Sequence, residues 1–184
     1  MDDSNFYVEA SLRTGKLKNT LNDALSDKEG NTYGYKLGNI YYGGHIGLGK
    51  VIKLDRGRAW DIYGKFFHAY HAGETVLVGM DKFHFDGVQS DRLRLGARFI
   101  ENVGNKLSNY YGLAWEYEFN GDIKGSAGGA KMYASSLSGS TAMAEIGFRY
   151  IPETKSPWYF DANMHVYSGK RQGVSGSIQV NYTF

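Results

Sequence analysis

The sequence predicts an all-β fold, an antiparallel transmembrane β-barrel with eight strands in this chain, on three observations. From Val174 to Phe184, the residues Val174, Gly176, Ile178, Val180, Tyr182 and Phe184 alternate with Ser175, Ser177, Gln179, Asn181 and Thr183. That period of two makes one face apolar and the other polar and small. The composition, 25 glycines, 15 tyrosines and 10 phenylalanines against 2 prolines, favours short strands and tight turns over helix. Aromatics suit a pleated surface, and glycine suits turns and crowded barrel interiors. The connections between the strands alternate long and short, the pattern of long outer loops and short periplasmic turns.

Alternation bounded by turn residues marks the strands as Phe6 to Thr14, Tyr35 to Val51, Trp60 to Tyr70, Lys82 to Phe99, Asn109 to Phe119, Thr141 to Tyr150, Trp158 to Tyr167 and Val174 to Phe184. Several reach the roughly 9–11 residues that a tilted strand needs to cross a hydrocarbon core. Their apolar faces are Phe6, Val8, Ala10 and Leu12; Leu93, Leu95, Ala97 and Phe99; Tyr111, Leu113, Trp115, Tyr117 and Phe119; Ala142, Ala144, Ile146 and Phe148; and Trp158, Phe160, Ala162, Met164 and Val166. Opposite them lie Glu9, Ser11 and Arg13; Arg92, Arg94, Gly96 and Arg98; Glu116 and Glu118; Glu145, Gly147 and Arg149; and Asp161, Asn163 and His165.

Between the strands, Gly15 to Gly34, His71 to Asp81 and Asn120 to Ser140 read as long loops, and Leu54 to Arg58, Glu101 to Leu107 and Pro152 to Ser156 as short turns. With Phe184 at the periplasmic rim, counting strands backwards puts every long loop outside. Only the outer Ser168 to Gly173 connection is short. Aromatics concentrate near strand ends, at Trp60, Tyr63, Tyr70, Tyr110, Tyr111, Tyr117, Phe119, Tyr150, Trp158, Tyr159, Tyr167, Tyr182 and Phe184, like interfacial girdles. Gly96, Gly112 and Gly147 on the polar face open room in a lumen. Period alone also fits a soluble lipocalin-like barrel with an apolar interior; loops, girdles and glycines favour the membrane barrel.

Composition removes other classes. A net charge of +2 with basic and acidic residues interspersed offers no patch for nucleic acid. The absence of cysteine excludes disulfides, thiolate metal sites and a cysteine nucleophile. No run approaches the roughly 18 apolar residues of a transmembrane helix, a test to which strands are invisible. Met1 to Ser4 lack the basic and hydrophobic regions of a secretory signal, so a mature form, a recombinant form or a piece of a longer protein is expected. The chain reads as one domain, residues 1–184.

Candidate chemistry is sparse. His68, His71 and His84, with Glu74, lie where they approach one another as a divalent-metal site, but no ligand spacing is diagnostic, and solvated histidines are expected. His165 and Ser168 lack a nucleophile elbow, and His165 shares the lumenal face with Asp161 and Asn163, which makes it an interior histidine. Glu116 and Glu118 sit on one strand face, unlike a glycosidase pair, and oppose Arg92, Arg94 and Arg98 on the preceding strand as cross-strand ion pairs. Gly43 to Lys50 lacks the phosphate-loop spacing and reads as a curved strand. Lys16, Lys18 and Lys28 in the first long loop are placed to meet lipopolysaccharide phosphates or simply to be solvated. No catalytic residue, metal or cofactor is expected.

Four segments together resemble a known family: Ser90-Asp91-Arg92-Leu93-Arg94-Leu95-Gly96-Ala97-Arg98-Phe99, Tyr110-Tyr111-Gly112-Leu113-Ala114-Trp115-Glu116-Tyr117-Glu118-Phe119-Asn120-Gly121, Ala144-Glu145-Ile146-Gly147-Phe148-Arg149-Tyr150, and Val180-Asn181-Tyr182-Thr183-Phe184. In this order and spacing they are similar to the translocator domain of autotransporters, the type V secretion proteins of Gram-negative outer membranes. The resemblance implies an outer-membrane barrel that accompanies export of a covalently linked amino-terminal passenger, with a helix threading the pore. The family's barrel is twelve-stranded, so the strands here read as its last eight, and the first four strands, the helix and the passenger are not in this chain.

The expected assembly signal for the barrel-assembly machinery is Val180, Tyr182 and Phe184, and the expected lumen-facing residues are Arg92, Arg94, Arg98, Glu116, Glu118, Glu145 and Arg149. Outer-membrane lipid and lipopolysaccharide are the expected surroundings. The alternative is a self-contained eight-stranded barrel acting in adhesion or surface binding through its outer loops, whose interior side chains just fill.

Overall fold

A computed structural model of the chain describes residues 5–26, 28–133, 136–152 and 156–183. Its strands are β1 (Phe6–Ser26), β2 (Thr32–Lys53), β3 (Arg58–His71), β4 (Glu74–Val78), β5 (Asp81–Phe85), β6 (Val88–Val103), β7 (Leu107–Glu118), β8 (Lys124–Ala127), β9 (Ala130–Tyr133), β10 (Gly139–Tyr150), β11 (Trp158–Gly169) and β12 (Gly173–Tyr182). One 3-10 turn, Asp55–Gly57, is the only helical element among the described residues.

The main sheet has eight strands in the order β1-β2-β3-β6-β7-β10-β11-β12, every neighbour antiparallel, and it curls into a half-barrel. Each strand pairs with the next in sequence once the β4–β5 and β8–β9 hairpins are set aside, the meander that short turns impose. Its two ends, β1 and β12, do not pair with each other among the described residues, so the sheet is open there.

The expected outer loops are more ordered than loops. Gly15 to Ser26 continues β1 and pairs with the start of β2, in register from Gly15↔Tyr41 to Leu21↔Tyr35, so most of the region read as a long loop is a projecting ribbon. Backbone pairing carries that extension, because its apolar residues no longer alternate strictly. The single strand expected from Lys82 to Phe99 is two, β5 and β6. The His71 to Asp81 loop contains β4, and the Asn120 to Ser140 loop contains β8 and β9. These hairpins join as a second sheet, β4-β5-β8-β9. Gly128 and Gly129, both at positive φ (54° and 84°), make the two-residue turn of the β8–β9 hairpin, a conformation that costs residues with a Cβ. The ribbon and the second sheet touch: Glu74 Oε2 accepts the Gly38 N–H at 2.7 Å and Asn39 Nδ2 donates to the Ala72 carbonyl at 3.0 Å.

A candidate membrane face and a charged concave face

Alternation along the strands sends one set of side chains to each face of the main sheet, and the two sets differ in burial in the reverse of the order usual for a soluble protein. The apolar set is exposed: Leu12 is 96%, Ile178 82% and Leu113 71% accessible. The buried residues of the same strands include Asp61, Glu116, Glu118, Glu145 and Asp161, with Glu116 only 3% accessible. All three tryptophans, Trp60, Trp115 and Trp158, belong to the exposed apolar face. The apolar-interior arrangement of a soluble barrel is therefore not the one observed. A predominantly apolar exposed face, interrupted by few polar residues such as His68 and Asp91, marks a surface that something other than water covers.

On the concave face the carboxylates are partnered by arginines. Arg94 donates to Glu116 Oε2 from Nε at 3.0 Å and from Nη2 at 2.8 Å, and Arg98 donates to Glu145 through Nε and Nη2 at 2.8–3.1 Å. Arg92 bridges Glu116 and Glu118 at 3.5 and 3.6 Å, while Glu118 also accepts the Ser90 hydroxyl at 2.6 Å and the Asp91 N–H at 2.9 Å. Arg149 pairs with Asp161 at 3.2 Å. At the open end, Lys65 meets Glu9 at 2.5 Å, with His45 Nε2 at 3.4 Å from the same oxygen. A buried carboxylate costs several kcal/mol unless a cation and further donors satisfy it, and fork-shaped guanidinium groups do this best.

The structure gathers all seven expected lumen-facing residues, Arg92, Arg94, Arg98, Glu116, Glu118, Glu145 and Arg149, on this face. Register decides the pairing. Arg92 and Arg94 stand opposite Glu118 and Glu116, as the ladder reading expects, but Arg98 stands opposite Gly112 and reaches over it to Glu145, two strands away. Sequence reasoning missed Lys65 and Asp61, because the strand from Trp60 was read only for its aromatics. It also missed Arg171, whose Nη1 lies 3.1 Å from Glu116 Oε1, because a turn residue has no strand phase to assign its face.

Tyrosines supply the second device. Tyr7 lies across Gly49 of the next strand, where a Cβ would come within 2.5 Å of its ring and hydroxyl, and its hydroxyl donates to Asp61 Oδ1 on the strand beyond at 2.8 Å. Tyr110 repeats the arrangement across Gly147 to Asp161 Oδ1, again at 2.8 Å. Tyr63 lies across Gly96 in the same way. The room that Gly96 and Gly147 leave on the concave face is thus filled by tyrosine rings, and Gly112 gives passage to the Arg98–Glu145 pair. Tyr63, Tyr110, Tyr159 and Tyr167 consequently leave the expected girdle: the Arg149 and Arg171 guanidiniums stack over Tyr159 and Tyr167 at 5.0 and 5.1 Å. The convex face keeps paired aromatics at Trp60–Phe99 (5.2 Å), Trp158–Tyr182 (4.8 Å) and Tyr42–Tyr70 (5.3 Å).

The histidines do not converge. His68 lies on the convex face against Asp91 at 2.7 Å, His71 stacks on Tyr41 at 5.6 Å on the concave side, and His84 contacts Thr75 and Asp86 in the second sheet. Glu74 is taken by Gly38 N–H, and no group of three or more ligating side chains forms a metal site among the described residues. His165 lies 3.3 Å from Glu145, on the concave face and opposite in direction to Ser168. Glu116 and Glu118 each sit within arginine contacts. Gly43 to Lys50 is continuous strand within β2. Of the expected assembly signal, Val180 and Tyr182 lie on the apolar face of β12 opposite Phe160 and Trp158, and Phe184 falls outside the described residues. No protein-family model matches the chain, and no curated protein matches it.

Proposed function

We propose that this chain is an outer-membrane β-barrel segment, the carboxy-terminal part of an autotransporter-type translocator, which anchors in the bilayer and supports export or display of a passenger joined to its amino terminus. The single observation behind this reading is the inverted burial of one sheet: apolar side chains exposed on the convex face, carboxylates buried on the concave face. Such a sheet is stable where the medium outside is hydrocarbon and the interior is polar. The unpaired edges of β1 and β12 support a barrel larger than these strands make, with further strands between them. The arginine–carboxylate face then lines the lumen, and the work of the chain is anchoring and assembly, with no catalytic role.

The second sheet, β4-β5-β8-β9, favours one other reading, a complete small barrel that binds partners through its outer hairpins. Refolding in detergent followed by electrophoresis of unboiled and boiled samples separates the two. A mobility difference for this chain alone means that its strands close by themselves. No difference, with closure restored by an upstream segment, supports the translocator. Directed to the envelope of a Gram-negative cell together with the upstream segment, the chain is expected to stay in the outer-membrane fraction after urea washing, and release into the wash contradicts the whole proposal. Removal of Phe184 is expected to lower that yield.

A further inference from the structure

The projecting ribbon and the apolar face beneath it share one side. Along the convex side of β1 and β2 the paired rows run from Leu12↔Gly44 through Thr14↔Tyr42, Lys16↔Ile40 and Lys18↔Gly38 to Thr20↔Lys36. Three lysines, Lys16, Lys18 and Lys36, therefore stand on one face at alternate-residue spacing, roughly 7 Å per step. All three are exposed, and no acid is paired with them among the described residues. Glu74 meets the ribbon only at its edge, through the Gly38 N–H.

Directly below the lysines the sheet has a furrow of about 690 Å³, floored by Gly44 and walled by Ala10, Leu12, Ile46 and Phe66. The furrow exists because Gly44 has no side chain, and a Cβ there would collide with the Ser11 carbonyl oxygen at 2.5 Å. At its outer end stands His68. Asp91 accepts from His68 Nδ1 at 2.7 Å and also takes Gln89 Nε2 at 2.5 Å and Asn120 Nδ2 at 2.6 Å, which fixes the imidazole with Nε2 turned away from the carboxylate. This is the one ion pair of the convex face among the described residues. The order along the face is apolar furrow, His68 with Tyr42 and Tyr70, then lysines.

We infer that this strip is a seat for an acyl lipid with an anionic phosphate headgroup, one chain running from the Gly44 furrow past His68 and Tyr42 and the phosphate lying on the ladder around Lys16 and Lys18, with Lys36 one step further out. The inference rests on the membrane reading above and adds a defined ligand site to it. Charge complementarity selects the occupant: a neutral lipid fills the furrow but leaves the ladder without a counter-charge, and a free phosphate leaves the furrow empty. Each lysine near an anionic surface strengthens association about fivefold, so the ladder contributes about a hundredfold in all.

The test uses the whole chain reconstituted in phosphatidylcholine vesicles with and without phosphatidic acid, reading co-purified lipid and competition by inorganic phosphate. The unaltered chain is expected to enrich phosphatidic acid. Replacing the ladder together by Lys16→Glu, Lys18→Glu and Lys36→Glu is expected to abolish the enrichment, while the corresponding Lys→Arg set keeps it. Ala10→Phe, on an exposed position that tolerates a larger side chain, is expected to weaken it by filling the furrow. Unchanged enrichment in the glutamate set or in Ala10→Phe overturns the site, as does equal displacement by inorganic phosphate. Failure of the unaltered chain to enter phosphatidylcholine vesicles even with the upstream segment restored overturns the membrane reading instead.

Discussion

The two faces of the main sheet are built from the same strands, residue by residue in alternation, yet they solve opposite problems. The convex face is mostly apolar and exposed, and apart from the His68–Asp91 pair its side-chain contacts are chiefly between aromatic rings. The concave face is crowded with charge, and nearly every polar atom on it is assigned, by register, to a specific group one or two strands away. The convex face therefore tolerates exchange of one apolar residue for another, whereas the concave face depends on position. A lipid-covered surface needs only hydrophobicity, but a buried polar interior needs each donor matched to an acceptor.

Predictions that break this comparison begin with the concave face. Glu145→Ala removes the partner of both Arg98 and His165 and is expected to cost about 3–5 kcal/mol of folded stability in detergent or vesicles, read by urea titration. Next is the convex face: Leu113→Arg puts a charge at a 71% accessible site and is expected to cost about 2–4 kcal/mol in a bilayer, with little effect if that face meets water. Smaller again is Tyr110→Phe, which leaves the ring over Gly147 but deletes the hydroxyl bond to Asp161, for about 1 kcal/mol. Smallest is Met80→Ser at the fully exposed tip of the β4–β5 hairpin, expected within about 0.5 kcal/mol of the unaltered chain. A cost at Met80 comparable to that at Leu113 would erase the distinction between the convex face and an ordinary surface.

How much of this was legible in the sequence follows from what alternation can and cannot encode. Period two assigns each side chain a face, so Leu93, Leu95, Trp115 and Ile146 on one side and Arg92, Glu116 and Glu145 on the other are readable directly. It does not encode register, which turn lengths set. That is why Arg94–Glu116 is foreseeable from adjacent strands, whereas Arg98 passing over Gly112 to Glu145, and Tyr110 passing over Gly147 to Asp161, are not. The same gap moved Tyr63 and Tyr110 from an expected girdle into the interior, since closeness to a strand end says nothing about face. The projecting part of β1 was missed because Gly15 to Thr20 lacks apolar alternation and pairs through its backbone. The β8–β9 hairpin did leave a trace, Gly128-Gly129 between two runs, but runs of four residues are too short to show a period.

The central claim is that the convex face meets hydrocarbon, and the placement of all three tryptophans on that face allows it to be tested without any substitution. The measurement is tryptophan fluorescence of the chain refolded into vesicles, quenched by lipids brominated along their acyl chains and, separately, by iodide in the water. Strong quenching by the brominated lipids with protection from iodide is the predicted result. Quenching by iodide with none from the brominated lipids would mean that the apolar face meets water and would contradict the account.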